Sequence, residues 1–137
     1  MFTALSDNVQ ATSTQNAASL HRAAKMLQQA ENVHVAGFRA SYPIVHTLLY
    51  GYRLFRRTVY LVDPATGSME MHMRAFAKGD AVVIASFAPY SRESLEVLKV
   101  ARQARCKIVA FTDSEASPLA LEADACVLFS VNSPSFF

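Results

Sequence analysis

The sequence predicts an α/β fold in three layers: a doubly wound, five-stranded parallel sheet flanked by helices. Five short, near-continuously apolar runs rich in Val and Ile recur along the chain, at 33–37, 58–63, 81–86, 107–112 and 125–130. Strands covered on both faces read this way, whereas strands with one wet face alternate apolar and polar residues. Helical periodicity fills the segments between the runs, and strands alternating with helices wind into a parallel sheet. With 137 residues, 52% of them apolar, the chain has material for one core.

Ahead of the first run, Ala17, Leu20, Ala24, Leu27 and Ala30 fall on one helical stripe, with Ser13, Thr14 and Asn16 as N-cap candidates. Residues 1–31 therefore read as a leading helix and residues 32–137 as the α/β domain. After VHVAG, the segment 43–55 sets Ile44, Val45, Leu48, Leu49, Tyr52 and Phe55 on one stripe. The run TVYLVD is followed by a Pro64–Gly67 turn and a shorter helix marked by Met69, Met73 and Phe76. Past AVVIAS, Leu95, Leu98, Ala101 and Ala104 give the next stripe. Ser117-Pro118 opens the helix after KIVAFT, with the hydroxyl as N-cap and proline at the first helical position. The chain ends at SVNSPSFF, where this architecture would add a covering helix, so the C-terminal helix reads as truncated.

Composition narrows the function. A net charge of +2 with scattered Lys and Arg gives no basic stripe for nucleic acid; Arg53, Arg56 and Arg57 come nearest to a cluster and read as the solvated end of a helix. Cys106 and Cys126 lack a CxxC spacing and lie beside apolar runs, as small buried hydrophobes in a reducing cytoplasm would. There is no charged, apolar leader and no apolar stretch of the ~20 residues a bilayer demands, so a soluble, cytoplasmic protein with no membrane partner is expected. His21, His34, His46 and His72 show no metal spacing, and His34, inside a strand, reads as a packed core or interface residue. GxGxxG and GxxxxGK[ST] are absent, and so are the acidic strand ends of a phosphoacceptor domain. The expectation is no cofactor and no metal.

Ligands of open α/β sheets bind beyond the carboxyl ends of the strands, at the topological switch point. Two loops there share a pattern. Gly37-Phe38-Arg39-Ala40-Ser41 leads from the first run into a helix near Pro43, and Ser86 through Ser91 leads from the third into a helix near Arg92. Each places a small residue at the strand end and a hydroxyl at a helix N-terminus, where free N–H groups and the helix dipole favour an anion such as phosphate. Ser41 and Ser91 suit plain helix N-caps equally well.

These loops resemble those of the SIS (sugar isomerase) phosphosugar-binding domain, in the form found as the effector domain of RpiR-type bacterial transcriptional regulators. The resemblance runs from about Ala30 to Ser130 and also takes in SPLALEAD at 117–124. In that family a glycine is followed four residues on by a serine, here Gly37 and Ser41, and the second loop typically reads Ser-x-Ser-Gly-x-Thr-x-Glu. Ser86 matches its first serine, Ser91 stands for the threonine and Glu93 matches the glutamate; Ala88 and Pro89 depart from it, removing one hydroxyl and one N–H donor.

The resemblance implies that Ser41, Ser86 and Ser91 donate to a phosphate, with N–H groups near Tyr90 to Arg92 completing the cradle. Arg39 would add a charge-assisted contact or stay in solvent, Tyr90 would meet the sugar or pack over the loop, and Glu93 would favour the helix dipole rather than act as a base. The implied function is non-enzymatic. A phosphorylated sugar or related small anionic metabolite binds a homodimer or higher homo-oligomer and controls DNA binding by a helix-turn-helix domain outside this chain, with the leading helix as connector. A phosphosugar isomerase and a SIS fold serving only for dimerisation are the alternatives.

Overall fold

Apolar runs that are buried on both faces pair side by side, and the computed structural model, which describes residues 17–65 and 67–129, shows them doing so. Strands β1 (Val33–Gly37), β2 (Val59–Leu61), β3 (Ala81–Ala85), β4 (Lys107–Thr112) and β5 (Ala125–Leu128) form one sheet in the order β2-β1-β3-β4-β5. Every pairing is parallel. Helices α1 (17–29), α2 (Tyr42–Arg53), α3 (Ser68–Arg74), α4 (Arg92–Gln103) and α5 (Pro118–Glu122) supply the outer layers. The predicted fold class is the observed one.

The two-residue period of a strand divides the core in two. Ala36, Val82, Ile84, Ile108 and Ala110 face one way, onto Met73, Phe76, Val97, Leu98, Ala101 and Leu119 of the α3, α4 and α5 side. Val33, Val35, Ala81, Val83 and Val109 face the other, onto Ala23 of α1 and Val45 and Leu49 of α2. Ile84, Ile108 and Leu119 are wholly buried, each contributing about 1.5–3 kcal/mol by leaving water.

The order β2-β1-β3 means that the chain leaves β1 to one side and returns on its other side. That reversal is the switch point, and the register pairs Gly37 with Ala85, so the two serine loops emerge next to each other. At the opposite end of the sheet, buried His34 sits between Asp80 (Nε2 to Oδ2, 2.9 Å) and His72 (Nδ1 to Nε2, 2.8 Å). Asn32 donates to the other oxygen of Asp80. His34 is a packed core residue, as expected.

Several local expectations shift. β2 is three residues long, because Asp63 turns its carboxylate onto the N–H of Ala65 and Pro64 has no N–H for a ladder. Helix α2 stops at Arg53, leaving Phe55 89% exposed instead of on the buried stripe, and Ile44 is exposed as well. On α1 the inward residues are Ala23, Met26 and Leu27, joined by Ala30 just past its end, while Leu20 and Ala24 face solvent. On α4, Ser94 and Val97 join Leu98 and Ala101 inside, and Leu95 lies outside. The N-cap candidates Ser13, Thr14 and Asn16 and the truncated C-terminal helix fall outside the described residues.

Candidate functional site

The first loop is built on a close approach. A Cβ on Gly37 would come within 2.7 Å of Val45 Cγ1 and 2.9 Å of the Ser41 carbonyl oxygen, so only glycine lets α2 sit so near the end of β1. Phe38 is extended and buried, Arg39 takes a left-handed φ of 57°, and a 3-10 turn over Arg39–Ser41 runs directly into α2. Ser41 is therefore already helical (φ −86°, ψ −11°), whereas a capping residue needs an extended backbone. Ser41 is 5% exposed, and its hydroxyl does not cap α2.

The second loop treats its serines differently. Ser91 is extended, and its Oγ accepts the Ser94 N–H at 3.1 Å, a true N-cap of α4, and donates to Ser94 Oγ at 2.7 Å. Ser86, buried at the end of β3, accepts the Ser91 N–H on its Oγ at 3.4 Å, closing the loop on itself. Between them the Ala88–Pro89 peptide is cis. Thus the two readings left open for these hydroxyls divide: Ser91 caps and Ser41 does not.

Asp113, the first residue after β4, was missed by the sequence reading. Its Oδ1 accepts the Tyr90 hydroxyl at 2.6 Å and its Oδ2 the Ala88 N–H at 3.0 Å, pinning both sides of Pro89 to the neighbouring strand end. The rule that located the two serine loops, applied to the Thr112-Asp113-Ser114 strand end, would have found it. Burial pushes the Asp113 carboxyl up, but the Tyr90 hydroxyl, the Ala88 N–H and further donors outweigh it and hold the group below its ordinary value. Tyr90 is correspondingly raised, first by that hydrogen bond to Asp113 and then by burial.

Arg39 and Glu93 meet across the crevice, with Arg39 Nη2 3.5 Å from each Glu93 oxygen. Exposed pairs of this kind contribute about 0–1 kcal/mol, so the contact sets position more than stability. Gly37, Arg39, Ser41, Ser86, Tyr90, Ser91 and Glu93 all lie on the two adjacent loops or the helical turn that follows. Helices α2 and α4 each begin where one of these neighbouring loops ends, and each presents the positive end of its dipole on that side of the sheet. Glu93 also borders a groove between α3 and α4 lined by Met69, Glu70, Met73, Arg92 and Glu96.

Chemically, the crevice offers hydroxyl groups and helix dipoles, a setting for holding an anion. Asp113, depressed below the ordinary carboxylate range, is a poor general base near neutral pH. Among the described residues no group of three His, Cys, Asp or Glu side chains is placed to hold a metal ion, and no helix is long and apolar enough to cross a membrane.

Comparison with known proteins identifies the domain family and the fold. The family model of the SIS domain matches residues 26–136. The sugar isomerase domain of an RpiR transcription factor from Sphaerobacter thermophilus superposes with a TM-score of 0.90 at 21% identity, over 98% of this chain and 75% of that one. The Vibrio vulnificus NanR protein complexed with ManNAc-6P gives 0.78 at 22% identity, over 90% of this chain and 47% of NanR. A Methanococcus jannaschii protein with an inferred 3-hexulose-6-phosphate isomerase function gives 0.77 at 15% identity, over 96% and 73%. At these identities the likeness is one of fold. No curated protein matches by sequence.

Proposed function

Since the chain belongs to the SIS domain family, we propose that it is the ligand-sensing domain of a cytoplasmic transcriptional regulator. In this reading a phosphorylated sugar, or a related small anionic metabolite, binds in the crevice between Gly37–Ser41 and Ser86–Glu93. The observation that carries it is Ser41, a residue 5% exposed that stands at the amino end of α2 without spending its hydroxyl on capping that helix. Ser41 and Ser86 would donate to the phosphate, with Ser91 holding the start of α4 in place. Regulators of this fold, such as the RpiR and NanR proteins above, support the sensing role. DNA binding would then belong to a helix-turn-helix domain outside this chain, joined through α1, and a homodimer would form over the exposed apolar residues of α2.

The test is thermal stability against a panel of sugar phosphates, with free sugars and inorganic phosphate as controls. A ligand present at a hundred times its Kd stabilises by about 2.7 kcal/mol, which a melting curve resolves. A shift from one or a few sugar phosphates, absent in Ser41→Ala, supports the reading; a flat panel on folded protein rejects it.

A phosphosugar isomerase is the second reading, favoured by the Glu93 carboxylate at the mouth of the crevice. It requires aldose–ketose phosphate turnover by the isolated protein, lost in Glu93→Gln. The depressed Asp113 carboxyl, a weak base near neutral pH, weighs against it.

A further inference from the structure

We infer that Arg56 is the positioning residue through which the crevice is coupled to the leading helix α1. The inference rests on the sensor reading above and concerns how that site is regulated. Three observations build it, in order along α2.

At the amino end, the first loop and α2 have no slack. Val45 packs so closely on Gly37 that even a methyl group has no room, and the 3-10 turn passes into α2 without a break. A ligand that moves the Gly37–Ser41 backbone therefore moves α2. The helix itself is a continuous rod of 12 residues, stiff along its axis because each turn is hydrogen-bonded to the next.

At the carboxyl end, the rod is fastened to Arg56. The Arg56 N–H donates to the carbonyl of Tyr52 in the last turn of α2, at 3.0 Å. Its side chain then reaches back to the end of α1. Nη1 donates to the carbonyl of Leu27, Nη2 to those of Ala30 and Glu31, and Nε to Thr58 Oγ1 at 2.8 Å. The last carbonyls of a helix have no partners within it and carry the negative end of its dipole, so a guanidinium is a strong ligand for them.

A helix cap of this kind normally comes from a residue close in sequence. Here it comes from 25 to 29 residues away, from the far end of the helix that starts at the crevice. Hydrogen bonds tolerate little change in length, so a shift of α2 by about 1 Å, ordinary for a switching helix, releases the Leu27 carbonyl of α1 or those of Ala30 and Glu31 just past its end. The Arg53, Arg56 and Arg57 cluster is thus more than a solvated helix end: Arg56 is half-buried on backbone carbonyls, and Arg53 donates to the carbonyl of Val59.

Coupling is reciprocal, so it can be tested from both ends without a ligand. Hydrogen exchange is measured by mass spectrometry on the full chain as wild type, Gly37→Ala, Arg56→Gln and the double variant. Leu119→Ala, on the opposite face of the sheet, controls for general destabilisation. The expected result is that Gly37→Ala speeds exchange at 27–31, and Arg56→Gln at 37–41, by at least about fivefold. The double variant should give less than the product of the two. Should Arg56→Gln fail to fold, Arg56→Lys replaces it, with a smaller change in the same direction.

Effects confined to the mutated end, or an equal response in Leu119→Ala, overturn the inference. N-acetylmannosamine 6-phosphate and arabinose 5-phosphate are then added to the wild type as probes. If neither alters exchange at 37–41 or 86–93, sensing of those ligands fails, while the coupling is still decided by the variants.

Discussion

Tyr90 and Asp113 face each other over 2.6 Å, hydroxyl to carboxylate, and tie the loop after β3 to the end of β4. Each shifts the other: the phenol loses its proton less readily and the carboxyl more readily than usual. In a spectrophotometric titration of wild type minus Tyr90→Phe, the Tyr90 phenol is expected above its ordinary 10.0. Asp113→Asn should bring it back. An unchanged Tyr90 titration in Asp113→Asn rules out the bond as its cause. Because the folded Asp113 carboxyl is depressed, the unfolded chain takes up that proton first. Its contribution is complete above pH 3.8 and declines as pH falls from there through the folded value.

Ser41 and Ser91 should separate in a stability measurement. Ser91→Ala removes the cap of α4, at a cost of about 1 kcal/mol, along with any share in ligand binding. Ser41 makes no cap, so Ser41→Ala should lower the unfolding free energy by clearly less than the about 1 kcal/mol lost with the Ser91 cap. Its effect should appear only in the sugar-phosphate melting shift. Equal destabilisation by the two variants would return Ser41 to a structural role.

The array at the other end of the sheet should make stability depend on pH near neutrality. Burial first, and the neighbouring His34 second, hold His72 below 6.5, with the Leu61 carbonyl offsetting part of this. The unfolded chain therefore binds a proton at His72 before the folded chain does. Stability is full above about pH 6.5 and declines as pH drops from there to the lowered folded value. Denaturation midpoints between pH 7.5 and 5.5 should fall less steeply in His72→Asn than in wild type, whatever the offset between the curves. Parallel curves would assign the decline to other groups.

Tyr50, near the end of α2, and Leu54 and Phe55, just past it, are 71%, 70% and 89% exposed, a large apolar presence for six residues of surface. Sedimentation of wild type is expected to show a dimer, and Leu54→Asp with Phe55→Asp a monomer that is still folded. A monomeric wild type, or a double variant that still dimerises, removes this face from the interface.

The strands and their order of burial could be read from the sequence because a doubly covered strand leaves a local mark: a run of Val, Ile and Ala with no alternation. The two crevice loops followed from the same runs and the switch-point rule. Side-chain assignments fared less well wherever the deciding partner is remote. Asp113 meets Tyr90 23 residues away, and Arg56 meets Leu27 29 residues away. Neither separation has a periodic signature. Ser41 and Ser91 have the same side chain in the same kind of position, and only the backbone angles distinguish the residue that caps from the one that does not. On α1 and α4 the small residues on both sides of the stripe blurred its centre. Phe55 was placed inside because no Gly or Pro marks where α2 stops.

The shortness of β2 bears on how the molecule stays separate from its neighbours in a crowded solution. A sheet edge is a template on which another chain can add a strand, and natural proteins guard it by keeping edge strands brief. Among the described residues the two outermost strands are only three and four residues long, at Val59–Leu61 and Ala125–Leu128. Runaway strand-by-strand growth into fibrils is thereby disfavoured, and self-association is steered to the helical surfaces, where contacts can close after two copies.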